Sequence, residues 1–114
     1  MSNETKPLED SLIFNKNSKY ILSLINDDIS SISWFLINGI HKIGRLPEKE
    51  IILDDVTVSR NHGFITVDDD EISITDEQST NGIFVNGELS NESNLKSGDR
   101  LQIGKFSLIV TKTE

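Results

Sequence analysis

Residues 63–75 read GFITVDDDEISIT: an alternating apolar run, four consecutive acids, and a second alternating run. Successive side chains of a β-strand point to opposite faces, so Ile72-Ser73-Ile74 sets its isoleucines on one face and its serine on the other. The acids between the runs belong to neither buried face and make a tight turn, VDDDEI at 67–72, between two strands, each with one buried and one wet face.

The same pattern extends in both directions. From Tyr20 onward the apolar residues gather in short β-type runs: YILSLI, SWFLI, HKIGR, EIIL, GIFV, RLQIG and FSLIVT. No segment carries a helical period of useful length. The breaks hold turn chemistry: Asn38-Gly39 and Asn86-Gly87 are hairpin dipeptides, because both residue types tolerate positive φ. Many short strands with turns every 8–12 residues or so predict an all-β sandwich.

The chain of 114 residues suits one domain. Its hydrophobic fraction of 35% is low, but it is concentrated in the strand-like runs, which favours a folded domain over disorder. The absence of cysteine removes disulfides, thiolate metal sites and cysteine nucleophiles from consideration. Residues 1–17, polar and proline-containing, read as a flexible tail before a domain over 18–114. The opening MSNETKPLED has neither the basic region nor the apolar core of a signal peptide, and no apolar run approaches the roughly 20 residues that span a bilayer. A cytoplasmic protein is the expectation, and nothing in the sequence asks for more than a monomer.

The formal charge of −8, from 19 acids against 11 Lys plus Arg, argues against nucleic acid and anionic membrane as partners, since both require a basic footprint. An anionic ligand remains open wherever a few cations are focused. The only arginines are Arg45, Arg60 and Arg100, and arginine's planar fork suits phosphate or carboxylate better than lysine's point charge.

Three short stretches carry candidate chemistry. In DDVTVSRNHGFITV, 54–67, a hydroxyl, a guanidinium and an imidazole (Ser59, Arg60, His62) fall within four residues. A hydrolase reading would pair Ser59 with His62, but no G-x-S-x-G elbow surrounds the serine, and His62 reads better as a half-buried prop. In KIGR, 42–45, Gly44 permits close backbone approach beside Arg45 at a strand end. In QSTNGIFVNG, 78–87, Ser79, Thr80 and Asn81 precede Gly82 and offer the donors and acceptors that an extended peptide backbone needs. DDDE lacks the glycine and spaced ligands of a calcium loop, and His41 and His62 stand in no metal-ligand spacing. No cofactor motif is present.

Taken in order, Gly44-Arg45, Ser59-x-x-His62, Thr80-Asn81-Gly82, Gly98-Asp99 and Ile103-Gly104 resemble the forkhead-associated (FHA) domain over roughly residues 19–112. The resemblance implies a β-sandwich of about eleven mostly antiparallel strands whose loops at one end bind phosphothreonine peptides, in preference to phosphoserine. By matched position, Arg45 and Ser59 contact the phosphate, Arg60 adds a second contact, Thr80 touches phosphate or peptide, and Asn81 binds the peptide main chain. Gly44, His62 and Gly82 support the loops. Where some members carry an arginine two positions before the serine and read an acid, this chain has Thr57, so an apolar residue is expected three positions beyond the phosphothreonine.

ILDDVTVSRNH and SGDRLQIGKFSLIV are further similar to small stand-alone bacterial FHA regulators of central nitrogen and carbon metabolism. That likeness implies a Ser/Thr protein kinase and a metabolic dehydrogenase, 2-oxoglutarate dehydrogenase, as partners, the latter inhibited by the unphosphorylated protein. In that group the phosphorylated tail threonine binds back to its own domain. The tail here lacks their Glu-Thr-Thr pair and offers Thr5 and Ser11 as phosphorylation candidates.

Overall fold

A computed structural model describes residues 17–25 and 32–113. Residues 1–16 of the tail, with both candidate phosphorylation positions, Thr5 and Ser11, lie outside the described residues. Eleven strands follow in chain order: β1 (Tyr20–Ile25), β2 (Ser33–Leu36), β3 (Gly39–Gly44), β4 (Ile51–Ile52), β5 (Gly63–Asp68), β6 (Glu71–Asp76), β7 (Ile83–Val85), β8 (Glu88–Ser90), β9 (Glu92–Leu95), β10 (Arg100–Ile103) and β11 (Phe106–Lys112).

They form two sheets, ordered β2-β1-β11-β10-β7-β8 and β4-β3-β5-β6-β9. All pairings are antiparallel except the short β3–β4 contact, where Ile43 lies against Ile51. The acidic hairpin is present as read, with Asp68 opposite Glu71 and Asp69 at φ 57°. Alternation then decides the core. Ile43, Ile65, Val67, Ile72 and Ile74 of one sheet are buried with Leu22, Ile83, Leu101, Ile103, Leu108 and Val110 of the other. Each such side chain contributes roughly 1.5–3 kcal/mol by leaving water.

Asn86-Gly87 makes the expected two-residue hairpin, with φ of 51° and 89° and Val85 opposite Glu88. Asn38-Gly39 does not. Strands β2 and β3 belong to different sheets, so the dipeptide carries the chain across the sandwich. The Asn38 carboxamide is used elsewhere: its oxygen accepts from the Asp69 N–H at 2.8 Å and its nitrogen donates to Asp69 Oδ1 at 3.2 Å. It pins the acidic turn instead of forming a turn of its own.

Strands β8 and β9 were not among the runs visible in the sequence. Both are polar edge strands, Glu88-Leu89-Ser90 and Glu92-Ser93-Asn94-Leu95, and they exist through pairing with β7 and β6 rather than through their own pattern. Gly98-Asp99 anchors this region. The nearly buried Asp99 carboxylate accepts from the Lys96 N–H at 2.9 Å and from Asn86 Nδ2 at 3.0 Å, and so ties two turns together.

The connections then sort to two ends. Strand β5 leads away from the loop before it to the 69–70 turn, and β10 and β11 meet again at Gly104-Lys105. The β3–β4, β4–β5 and β6–β7 loops and the β10–β11 turn therefore share one end of the sandwich.

Candidate functional site

The β4–β5 loop is stitched to the end of β3 by main-chain bonds: His62 N–H to Ile43 O at 3.0 Å, Arg45 N–H to Ser59 O at 3.1 Å, and Leu53 N–H to Gly44 O at 2.9 Å. Gly44 sits inside this stitching. A Cβ added there would lie 2.0 Å from the Arg60 carbonyl oxygen, so any side chain displaces the loop from the strand.

His62 is fully buried behind the loop. Its Nδ1 accepts from the Ser59 N–H at 3.0 Å, which leaves Nε2 to carry the ring proton and donate to the Gly82 carbonyl at 2.9 Å. One imidazole thus joins the β4–β5 loop to the β6–β7 loop, and both of its nitrogens are occupied by main chain. Gly82, at φ 82°, adopts a conformation that favours glycine.

The β6–β7 loop closes on itself through Asp76. Its carboxylate accepts from the Ser79 N–H at 3.3 Å and from the Ser79 hydroxyl, whose oxygen in turn accepts from the Gly82 N–H at 2.9 Å. That arc presents the Thr80 N–H to Ser59 Oγ at 3.0 Å. Ser59 Oγ is therefore an acceptor on its inner side, and its own hydrogen is left to donate outward.

Arg45 is oriented from behind. Its Nε–H donates to Val58 O at 2.9 Å, and no described residue takes its terminal nitrogens. Arg60 is exposed and makes no ion pair with a described residue. Lys49 adds a third cation on the β3–β4 loop, with Nζ donating to Asn61 Oδ1.

Asn81 closes the arrangement by donating from Nδ2 to Thr57 O at 2.9 Å. Thr57 is itself clamped: its hydroxyl donates to Asp55 Oδ2 at 2.6 Å and accepts from the Lys105 N–H at 2.9 Å, while its own N–H donates to Asp55 Oδ2 at 3.0 Å. The Asp55 carboxyl is lowered to about 2, first by the Thr57 hydroxyl, then by the Thr57 N–H, with Lys105 adding to both. Lys105 Nζ lies 3.2 Å from Asp55 Oδ1.

The five residues singled out for contact, Arg45, Ser59, Arg60, Thr80 and Asn81, line one cleft of about 290 Å³ together with Val56, Thr57 and Val58. Among the described residues no carboxylate lines it. Gly44, His62 and Gly82 stand behind it. The sequence reasoning missed the Asp55–Thr57–Lys105 clamp. Its signal was Asp-x-Thr at 55–57, the spacing of a side-chain turn onto the backbone two residues on. Among the described residues no group of three His, Asp or Glu side chains is placed to hold a metal ion, and no helix is long and apolar enough to cross a membrane. His41 instead bonds Glu50 through Nδ1 at 2.8 Å and Ile37 O through Nε2 at 2.7 Å.

The sequence matches the FHA domain family over residues 41–104, which spans every one of these loops. The chain belongs to the FHA family. This FHA domain is 48% identical over 66 residues to an oxoglutarate dehydrogenase inhibitor of Corynebacterium efficiens, covering 58% of this chain and 46% of that protein. It is 44% identical over 78 residues to the glycogen accumulation regulator GarA of Mycobacterium tuberculosis, covering 68% and 48%. The chain spans about half the length of the curated relatives it matches. Among solved structures, an FHA domain described for phosphothreonine-dependent interactions superposes with a TM-score of 0.78 at 33% identity, covering 85% of this chain and 99% of that one. The FhaA FHA domain, solved in complex with an intracellular domain, gives 0.74 at 35% identity, covering 80% and 98%. The small bacterial FHA regulators to which the sequence is similar are thus the relatives found.

Proposed function

We propose that this FHA domain is a phosphothreonine-peptide-binding module in Ser/Thr kinase signalling, formed by residues 18–114 behind a leading tail, and that it acts by binding rather than turnover. The observation that carries the reading is the pairing of two unspent donors in a cleft that no carboxylate of the described residues lines. The Arg45 fork is tethered at Nε with its terminal nitrogens open, and the Ser59 hydroxyl accepts inward and donates outward.

A phosphothreonine brings about −1.5 to −2 charges and three strong acceptor oxygens. Arg45, Ser59 and Arg60 meet that demand with charge-assisted bonds of roughly 1.5–3 kcal/mol each. Thr80 and Asn81 take the flanking peptide. The −8 background does not defeat this, because distant charges are screened beyond about 8 Å whereas contact charges are not. Turnover finds no support at Ser59, since both nitrogens of the neighbouring His62 are already bonded to main chain. Val56, which lines the cleft at 90% exposure, supports an apolar flanking residue in the bound peptide.

The test is fluorescence-polarisation binding of a degenerate phosphothreonine library, beside phosphoserine and unphosphorylated libraries, to wild type and Arg45→Ala. Phosphothreonine-selective binding that disappears in the variant supports the module. Equal binding of the unphosphorylated library would contradict it.

The name of the Corynebacterium relative favours a second reading: inhibition of a metabolic enzyme such as 2-oxoglutarate dehydrogenase by the unphosphorylated protein, with Thr5 or Ser11 as the switching position. A pull-down with unphosphorylated protein separates the two. Retention of a dehydrogenase subunit by wild type and Arg45→Ala alike supports this second activity, and recovery of none counts against it.

A further inference from the structure

The chain has two histidines, both buried, and their ring nitrogens meet different partners. His62 faces one donor and one acceptor, the Ser59 N–H and the Gly82 carbonyl, so a neutral ring with its proton on Nε2 satisfies both. His41 faces two acceptors. Its Nε2 lies 2.7 Å from Ile37 O and its Nδ1 lies 2.8 Å from Glu50 Oε2. A carbonyl can only accept, so a neutral His41 ring would spend its one proton on Nε2. Nδ1 would then turn a lone pair toward a carboxylate oxygen, which offers lone pairs of its own. The contact therefore needs a second proton, and imidazole is the more basic of the two groups. His41 is held here as an imidazolium against a carboxylate.

Among the described residues no other charge pairs with this ring. The residue opposite it on β5 is Ile65, and β4 contributes Ile51, level with Ile43. Lys42, next along β3, points to the outer face, with Nζ 5.6 Å from the centre of the Phe64 ring. Glu48 and Lys49 share the loop with Glu50, and Asp68 ends β5, but none of them pairs with His41. The His41 side chain is 5% exposed and that of Glu50 47%, so the pair is rooted in the sandwich and reaches out to the loop.

Arg45 opens that loop and Glu50 closes it, immediately before the two residues of β4. Between them the Lys49 N–H donates to Leu46 O at 3.1 Å, and Lys49 Nζ reaches Asn61 on the β4–β5 loop. The Lys49 stem passes Gly44 closely, its Cγ 3.2 Å from where a Cβ would stand. Arg45 has fastenings of its own in Ser59 O and Val58 O. Lys49, the residue before Glu50, takes its place from where Glu50 is held.

We propose that His41 is a positioning residue for the cleft: as an imidazolium it fixes Glu50, and through Glu50 the β3–β4 loop that carries Lys49 beside Arg45, so that phosphopeptide affinity falls when the ring loses its proton. This rests on the phosphopeptide reading and adds a proton dependence that originates outside the cleft. The sign follows from the contact, which requires the proton: it is present at low pH and lost as pH rises.

The experiment compares the full chain as wild type, Glu50→Gln and Glu50→Ala at about pH 5 and about pH 9, on either side of the range in which histidine changes charge. A carboxamide accepts from a protonated ring and donates to a neutral one, so Glu50→Gln keeps the contact at both pH values. Glu50→Ala has it at neither. In heteronuclear spectra of the free protein, the wild-type His41 ring should carry protons on both nitrogens at the lower pH. The wild-type amides of residues 46–50 should match those of Glu50→Gln at the lower pH and move toward those of Glu50→Ala at the higher. Affinity for a phosphothreonine peptide from the library selection should follow. Wild type and Glu50→Gln should bind alike at the lower pH, and wild type should be about threefold weaker at the higher, the scale of one modest hydrogen bond. The phosphate's own ionisation cancels, because every protein meets the same peptide.

A neutral wild-type ring at the lower pH, or loop amides that move equally in wild type and Glu50→Gln, would overturn the proposal. An unchanging ratio of wild-type to Glu50→Gln affinity would confine the pair to structure and overturn its positioning role. Equal affinity for phosphorylated and unphosphorylated peptides would instead remove the phosphopeptide reading beneath it, with the ring and loop spectra still as predicted.

Discussion

The two ends of this sandwich are built from the same kinds of residue and use them differently. At the end bearing the acidic hairpin, polar groups are consumed by one another. Asn38 spends both ends of its amide on Asp69, Tyr20 donates its hydroxyl to Asp70 O at 2.6 Å, Lys112 pairs with Asp70 at 3.6 Å, and Asn86 and Asp99 tie two turns together. Ser18 is the exception, its buried hydroxyl lacking a partner. At the other end three loop residues bond inward with one atom and keep another for the cleft: Arg45 with Nε, Ser59 with its oxygen, Asn81 with Nδ2. One end is closed chemistry and serves stability. The other is half-spent chemistry, held in register from behind, and is the end we propose for binding.

That contrast is broken most sharply by a variant that removes binding without touching stability. Arg45→Ala should lower affinity for a phosphothreonine peptide by at least about 100-fold, since two or more charge-assisted bonds are lost. Its melting temperature should stay within about 5 °C of wild type, because the residue is only partly buried and its one inward bond, to Val58 O, can be replaced by water. Calorimetric titration beside a thermal melt measures both.

The mirror-image variant is Asp99→Ala. It strands the Lys96 N–H and the Asn86 Nδ2 beside the nearly buried position 99, while Asn86 Oδ1 stays bonded to the Arg100 N–H, at a cost of about 1–3 kcal/mol. Denaturant unfolding should register that loss, while peptide affinity measured well below the melt is unchanged. A parallel loss of affinity would show that the two ends are coupled.

Ser59→Ala is smaller and mixed. It deletes the outward donor and leaves the Thr80 N–H without its acceptor, so affinity should fall about tenfold with little change in stability. An equal loss for phosphorylated and unphosphorylated peptides would mean the hydroxyl shapes the loop without touching phosphate.

The smallest effect concerns acid. Asp55 is lowered from 3.8 to about 2 by the Thr57 hydroxyl and N–H and by Lys105. A depressed carboxyl stabilises the fold fully above its unfolded value, near 3.8, and that contribution is lost as pH falls toward 2. Between pH 5 and 8 Asp55→Asn should therefore show no new pH dependence, and below pH 4 its stability should fall less steeply than that of wild type. Acid titration of unfolding, read for both proteins, checks the sign.

Much of this division is legible in the sequence. The alternation around Ile72-Ser73-Ile74 and the Asn86-Gly87 dipeptide specify strands and a turn locally, and both are present. Arg45, Ser59, Arg60, Thr80 and Asn81 could be picked out by residue type and motif order, and the fold brings all five to one cleft. What could not be read was set by tertiary context. Strands β8 and β9 have no apolar pattern and are templated by their neighbours. Asn38-Gly39 has a hairpin's residues but no partner strand behind it, and its amide serves Asp69 across 31 positions of sequence. The Asp55–Thr57–Lys105 clamp joins residues 48 positions apart, and only the folded sandwich makes them neighbours.

The most direct test of the half-spent end is a heteronuclear NMR titration of the full chain with matched phosphothreonine and unphosphorylated peptides. The account predicts that only the phosphorylated peptide moves resonances, and that the large shifts fall on the Arg45 side chain, the Ser59 and Thr80 amides and Asn81. Asn38, Asp69, Asn86 and Asp99 should stay in place. Shifts from the unphosphorylated peptide of the same size, or shifts centred on the acidic hairpin, would contradict it.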